Sequence, residues 1–324
     1  MQIATIVIPN LNGKKYLADC FDSLRAQSRQ DFSVILIDNG SVDGSAEFVK
    51  EEYPEVTVKC FAKNQGFCGA VNEGIRMTET KYVILLNNDT ICDPAFVEKL
   101  VSAMEQESGC FAGSSRMVQM QDPSRMDNCG DFYCALGWAF TPARGKRAIL
   151  YERPREVFSA CAGAAIYERR IFDEIGDFDE AHFAYLEDVD VCWRARIAGY
   201  RSIYVPNAVV RHVGSATSGS IYNEFKVRHS SRNSIYLIYK NMPFLQIVLN
   251  LPFLIVGFLV KFLFFVKKGL GKDYREGLAR GFELCRKHKD RKVRFLWKNL
   301  SAYVAIQVEL WKNILLFLPG RRGN

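Results

Sequence analysis

Residues 82–89 read YVILLNND: an apolar run, then Asn87, Asn88 and Asp89. A short continuous apolar run stopped by polar residues is the pattern of a strand buried on both faces. Three similar runs precede it: ATIVIPN (4–10), SVILIDNGS (33–41) and VTVKCFA (56–62). Helical patterns separate them. Tyr16, Leu17, Cys20, Phe21 and Leu24 recur at i, i+3, i+4 spacing. Residues 43–53 form a second helix with Asp43 near its start, and GAVNEGIR opens a third. Asp93-Pro94 starts a fourth, proline being favoured at the first helical position. Apolar strands alternating with helices predict an α/β fold, a mostly parallel sheet with helices on both faces. Ligands of such sheets bind beyond the carboxyl ends of the strands. Those ends carry Pro9-Asn10, Asp38-Asn39, Lys63-Asn64 and Asn87-Asn88-Asp89.

The 324 residues are 48% hydrophobic and 24% charged, which excludes a disordered chain. Charge is unevenly spread. Residues 1–225 hold 23 Lys and Arg against 31 Asp and Glu; residues 226–324 hold 20 against 5. An acidic body with a basic tail implies an anionic partner, membrane or nucleic acid. Cys60, Cys92, Cys161 and Cys192 sit in apolar runs, and no Cys-x-x-Cys pair occurs among the ten cysteines. MQIATIVIPN has no basic leader region and runs straight into a strand. Both point to reduced, mostly buried thiols in a cytosolic protein. Residues 110–165 read as further strands and loops, 168–200 as helical with Gly199 at the C-cap, and 202–217 as a strand entering a polar loop.

The tail differs. Residues 243–266 form a 24-residue apolar helix of roughly 36 Å, enough for a bilayer core. Gln246, Asn250, Gly257 and Lys261 fall on one of its faces. Residues 293–318 are amphipathic, with Leu296, Leu300, Val304, Val308, Trp311 and Leu315 on one side. Arg228, Arg232 and Lys240 precede the long helix; Lys267, Lys268, Lys272, Arg275 and Arg280 follow it. Both flanks favour the cytoplasmic side, so a helix in the interface or a hairpin kinked at Pro252 suits the pattern better than a single crossing. Charges interleaved with long aliphatic runs suit lipid rather than nucleic acid.

Several residues have chemistry to offer. Asp38 can accept hydrogen bonds from a ribose or base, or close a turn at Asn39-Gly40. Gly66 and Gly69, in KNQGFCGAVNEG (63–74), allow close backbone approach at a helix start. Asp89 can hold a divalent cation or serve as a turn residue. His212 suits Mn²⁺-like ions or a structural role. Glu187, Asp188 and Asp190 lie in FAYLEDVDVCWR (183–194), where an acidic first helical turn is expected without any function. Asp190 and Arg194 are spaced for a helix-surface ion pair.

In this order, TIVIPNLNG (5–13), VILIDNGSVDGS (34–45), KNQGFCGAVNEGI (63–75), YVILLNNDT (82–90), CAGAAIYERRIFDEIGDFDE (161–180) and FAYLEDVDVCWRARIAGY (183–200) resemble glycosyltransferase family 2, inverting enzymes of the Rossmann-like GT-A fold. The rhamnosyltransferase-like branch of bacterial cell-surface polysaccharide synthesis is the most similar. The resemblance implies a GT-A domain over residues 1–225 and a basic, apolar helical region over 226–324 for membrane association. It implies a nucleotide-sugar donor, dTDP-rhamnose first and a UDP-hexose second, met by Pro9, Asn10, Asp38, Lys63, Asn64, Gly66, Gly69, Asn87 and Asn88. Asp89 and His212 would hold Mg²⁺ or Mn²⁺, with Asn87 standing where the family's metal motif starts with an acid. Asp188 would be the catalytic base, assisted by Glu187. The acceptor would be a polyprenyl-diphosphate-linked saccharide at the cytoplasmic face of the bacterial inner membrane. The further expected partners are an anionic membrane surface and a second copy through the C-terminal helices, and no nucleic acid. The alternative is a non-catalytic nucleotide-sugar binding or scaffolding module.

Overall fold

The computed structural model describes residues 2–214 and 222–317. Residues 215–217 of the expected polar loop and Leu318 of the last amphipathic stretch lie outside the described residues. The first strand, β1 (Ala4–Asn10), is followed by α1 (Lys14–Arg25), β2 (Phe32–Asp38), α2 (Ser45–Glu52), β3 (Thr57–Cys60), α3 (Gly66–Arg76) and β4 (Tyr82–Leu86). Short β5 (Thr90–Cys92) and α4 (Phe96–Gln106) lead to β6 (Cys110–Gln119). Four short strands follow: β7 (Met126–Asn128), β8 (Phe132–Cys134), β9 (Trp138–Phe140) and β10 (Arg155–Val157). Then come β11 (Ala164–Glu168), α5 (Arg169–Ile175), α6 (Glu187–Ile197) and β12 (Arg201–His212).

The main sheet runs β10-β12-β6-β11-β4-β1-β2-β3. β4, β1, β2 and β3 are parallel, as are β6 and β12, while β11 runs against its two neighbours. Side chains alternate across each strand. Ile6 and Ile8 therefore join α1, α2 and α4 on one face, while Val7 joins α3, α5 and α6 on the other. This is the doubly covered, mostly parallel sheet expected from the apolar runs.

Residues 168–200 are two helices rather than one. Gly176 (φ 81°) ends α5, and a loop holding Phe183, Tyr185 and Leu186 at φ 61°, 73° and 67° precedes α6. Gly199 (φ 95°) follows the end of α6, as its C-cap position predicts.

The C-terminal part contains α7 (Glu224–Asn241), α8 (Phe244–Lys267), α9 (Gly271–Lys287) and α10 (Leu300–Phe317). α8 continues through Pro252 without a break, so it is not a kinked hairpin. Its buried face is Gln246, Asn250, Leu254, Gly257 and Phe265. Gln246 Nε2 donates to the Tyr303 carbonyl at 2.9 Å, Asn250 and Gln307 exchange hydrogen bonds at 2.8 and 2.9 Å, and Trp138 Nε1 donates to the Gly257 carbonyl at 3.1 Å. The polar positions of α8 thus face protein. Most of its apolar residues face outward, Phe244 being 78% and Leu259 54% exposed. α10 buries Tyr303, Ile306 and Leu310 with Gln307 and Asn313, and leaves Val304, Val308 and Trp311 exposed.

The cations before α8 turn inward. Arg228 Nε meets Asp273 at 2.7 Å, and Lys240 is buried between Asp179 (2.7 Å) and Asp190 (2.8 Å). Asp190, expected in a surface pair, is completely buried and holds Arg194 at 3.0 Å as well.

Candidate active site

Parallel register sets Asn10 beside Asp38 at the carboxyl ends of β1 and β2. Asn10 Nδ2 donates to Asp38 Oδ1 at 2.9 Å, and the Ser41 amide donates to Asp38 Oδ2 at 3.0 Å. Asn88 Nδ2, beyond β4, donates to Asn10 Oδ1 at 2.6 Å. Three strand ends are therefore joined by one buried polar chain. Each carboxylate oxygen keeps a lone pair beyond the bond it accepts. Half-buried Pro9 lies in the same register.

Asn39 fixes the next loop. Its Oδ1 accepts from the Gln65 amide (2.8 Å), and its Nδ2 donates to Asn64 Oδ1 and the Gly66 carbonyl (both 3.0 Å). Lys63 and Asn64 are exposed at the rim. Gly66 (φ 79°) abuts Phe183: a Cβ there would come within 2.6 Å of the ring. The Cys68 amide is donated to the Phe183 carbonyl at 3.3 Å. Protein thus fills the space beside the start of α3. Gly69 is buried within α3, where a Cβ would meet the Gln65 side chain at 2.8 Å.

β5 pairs with β12, setting Thr90 opposite His212 and bringing Asp89 to the ring. Asp89 Oδ1 is 3.2 Å from His212 Nε2, and Asp127 Oδ2 is 2.7 Å from Nδ1. Burial alone would lower the histidine pKa, but the hydrogen bonds to Asp127 and Asp89 outweigh it and raise it to about 9. Asn87 Nδ2 lies 3.4 Å from Nε2. A carboxylate and an imidazole nitrogen, with a second carboxylate on the far ring nitrogen, form a donor set that suits Mn²⁺-like ions. The residues fit a divalent cation.

A second cluster lies beside it. Ligand atoms of Asp131, Cys161 and Asp188 are all within 4.8 Å of one another. Gly163, two residues past Cys161, packs on Asn87, where a Cβ would be 3.0 Å from Nδ2. Asp188 is half-buried at the start of α6, and its Oδ1 accepts from the Val189 amide at 2.8 Å. Burial raises its pKa to about 6. Burial, then the Asp188 charge, raises Asp131 to about 7 and Glu187 to about 8. Glu187 Oε2 has no hydrogen-bond partner among the described residues. Neighbouring carboxylates whose pKa values are spread apart suit acid–base work near neutral pH.

Sequence reasoning missed Asp127 and Asp131, and it named Asn39 at a strand end without its hold on residues 64–66. The first two sit in DNCGD (127–131), which has neither helical nor strand period. The signal available for Asp127 was His212 itself, since a metal-binding imidazole needs an acceptor for its other nitrogen.

A family model for glycosyl transferase family 2 matches residues 5–176. The chain is 28% identical over 261 residues to the N-acetylglucosaminyl-diphospho-decaprenol L-rhamnosyltransferase of Mycobacterium tuberculosis, covering 72% of this chain and 82% of that one. An uncharacterized glycosyltransferase of Haemophilus influenzae is 37% identical over 105 residues, 31% of this chain and 39% of that one. Among solved structures, GalNAc-T7 with UDP, GalNAc and Mn²⁺ matches with a TM-score of 0.59 at 15% identity, over 74% of this chain and 48% of that one. Mannosyltransferase PcManGT from Pyrobaculum calidifontis, in complex with GDP-Man and Mn²⁺, matches at 0.54 and 15% identity, over 89% and 86%. These structures share its fold.

Proposed function

The chain belongs to glycosyl transferase family 2 and is a glycosyltransferase, and from that premise we propose that it transfers a sugar, with inversion, onto a lipid-linked saccharide in bacterial surface polysaccharide assembly. The first donor is dTDP-L-rhamnose and the second a UDP-hexose. The mycobacterial relative, an N-acetylglucosaminyl-diphospho-decaprenol L-rhamnosyltransferase, supports both the rhamnosyl donor and a polyprenyl-diphosphate acceptor carrying N-acetylglucosamine.

The observation that carries this reading is Asp188, half-buried beyond the strand ends with its pKa raised to about 6. An acceptor hydroxyl is a poor nucleophile. In this reading Asp188 takes its proton as the oxygen attacks the anomeric carbon. The bond to the nucleoside diphosphate breaks on the opposite side, which inverts the centre. Glu187, raised to about 8, is protonated at neutral pH and donates a hydrogen bond to the acceptor or to Asp188. Asp38, Asn10 and Asn88 orient the nucleotide, with Pro9, Lys63, Asn64 and Asn87 around it, while Gly66 and Gly69 pack the start of α3 against Phe183 and Gln65. Asp89 and His212 would hold Mg²⁺ or Mn²⁺, whose charge would offset that gathering on the leaving diphosphate. Replacing Asp188 by Asn tests the base. Transfer falls by about 10²–10⁴-fold while calorimetric donor affinity stays within about threefold. Near-normal turnover overturns the assignment.

Residues 1–225 act as the GT-A domain and 226–324 as the membrane-associating region. α8 turns most of its apolar residues outward and its polar stripe inward, and α10 adds exposed Val304, Val308, Trp311 and Leu315, the arrangement of helices lying in an interface. Exposed Lys267, Lys268, Lys272, Arg275 and Arg280 adjoin that face, each worth about 1 kcal/mol near an anionic leaflet. The enzyme then works at the cytoplasmic face of the inner membrane, where its lipid-linked acceptor is presented.

A further inference from the structure

The backbone that delivers Asp188 is strained, and a helix of the C-terminal region holds it. Phe183, Tyr185 and Leu186 have φ of 61°, 73° and 67°. Side chains with a Cβ avoid this left-handed region, and none of these three has an oxygen to bond its own backbone, as Asn or Asp has. Leu186 caps α6, and its carbonyl accepts from the Asp190 amide at 3.0 Å, so this loop sets the first turn on which Glu187 and Asp188 stand.

The restraint comes from α7. Asn233 is completely buried. Its Nδ2 donates to the carbonyls of His182 (2.9 Å), Ala184 (2.9 Å) and Tyr185 (2.7 Å). Its Oδ1 accepts from Arg232 Nε at 2.9 Å, and Arg232 Nη2 donates to the carbonyls of Ala181 (3.1 Å) and His182 (2.6 Å). α7 is itself pinned by α9. Gly277 and Gly281 approach so closely that a Cβ would collide with Ser231 Oγ at one and come within 2.7 Å of the Arg232 carbonyl at the other.

We infer that Asn233 is a positioning residue for glycosyl transfer: through residues 182–186 it sets where α6 presents Asp188, and so joins the C-terminal helices to the active site. The inference rests on Asp188 being the base. Without the amide, three carbonyls lose their shared donor. The loop then relaxes toward negative φ and re-aims the first turn of α6.

A double-mutant cycle on the full chain tests this, using Asn233→Ala, Asp188→Asn and the pair, with kcat, KM and calorimetric donor affinity as readouts. Asn233→Ala lowers kcat on the order of 10²-fold, as a misplaced catalytic group does, with donor affinity within about threefold. The pair is no slower than Asp188→Asn alone, because both changes disable one group. Where Asn233→Ala does not fold, Asn233→Ser, which keeps one donor, carries the same cycle. Multiplicative losses, or normal kcat in the folded Asn233 variant beside a disabled Asp188→Asn, overturn the inference and leave the base standing. Near-normal kcat in Asp188→Asn overturns the base assignment, and the inference with it, even where Asn233→Ala is slow.

Discussion

Replacing Lys240 by Met removes a buried charge that binds α7 to Asp179 and Asp190. Lys240 Nζ lies 2.7 Å from Asp179 and 2.8 Å from Asp190, all three nearly inaccessible to solvent. Methionine nearly matches the side chain's length, so the change is chiefly electrostatic. Breaking a buried pair by removing one partner costs about 3–5 kcal/mol. Asp190 keeps Arg194 and Asn241, and Asp179 keeps Tyr236 and Arg291. The loss therefore falls at the lower end, about 3 kcal/mol, or a fall in Tm of about 4–5 °C for a chain of 324 residues, read by Trp fluorescence at pH 7. Burial alone would raise both carboxyls, but Lys240 leads the charges that hold them well below the usual range. In the wild type they contribute stability that is complete above the unfolded carboxyl pKa of about 3.9 and is lost as pH falls through their lower folded values. In the variant their folded values rise, and protonation begins to relieve them at higher pH. The deficit should therefore be larger at pH 7 than at pH 5. An unchanged Tm at pH 7, or a deficit equal at both, refutes the reasoning.

With Asp188 raised to about 6 by burial, kcat/KM should rise about tenfold per pH unit below that value, level off above it and decline as Glu187, raised to about 8, deprotonates; a flat profile down to pH 5 contradicts a base with this pKa. Chelator should abolish transfer and Mn²⁺ or Mg²⁺ restore it, and Asp127→Ala should weaken metal affinity by about 10–100-fold through loss of the acceptor on His212 Nδ1; full wild-type activity in chelator removes the metal role. Val256→Glu with Leu259→Glu, both on the outward face of α8, should release the protein from anionic liposomes in co-sedimentation. If that variant pellets like the wild type, the membrane face lies elsewhere; if it changes oligomeric state instead, α8 covers a second copy.

The strand ends were legible because a sheet covered on both faces writes itself as apolar runs with polar stops, and Asn10, Asp38, Asn88 and Asp89 are those stops. Contacts between distant segments were not. The i,i+4 rule finds Arg194 for Asp190 but has no means to find Lys240, which turns an expected surface pair into a buried junction. Arg228 and Lys240 count as membrane-flanking charge in sequence, yet both bond inward. Gly66 reads as room for a ligand, whereas its missing side chain makes room for Phe183. That contact could not be foreseen because the loop carrying Phe183 is held by Asn233, about fifty residues away in the chain. Long α8 was legible from length and composition, and its inward polar stripe from spacing alone. That the stripe meets Tyr303 and Gln307 depends on α10, which packs alongside.

The most direct measurement incubates the purified full chain with dTDP-L-rhamnose, a UDP-hexose and a divalent metal beside polyprenyl-diphosphate N-acetylglucosamine, and analyses the lipid product by mass spectrometry and its anomeric configuration by NMR. The account predicts a lipid-linked disaccharide, rhamnosylated first and hexosylated second in preference, with the anomeric centre inverted relative to the donor. Nucleotide-sugar binding without transfer from any donor, or a product that retains the donor's configuration, contradicts it.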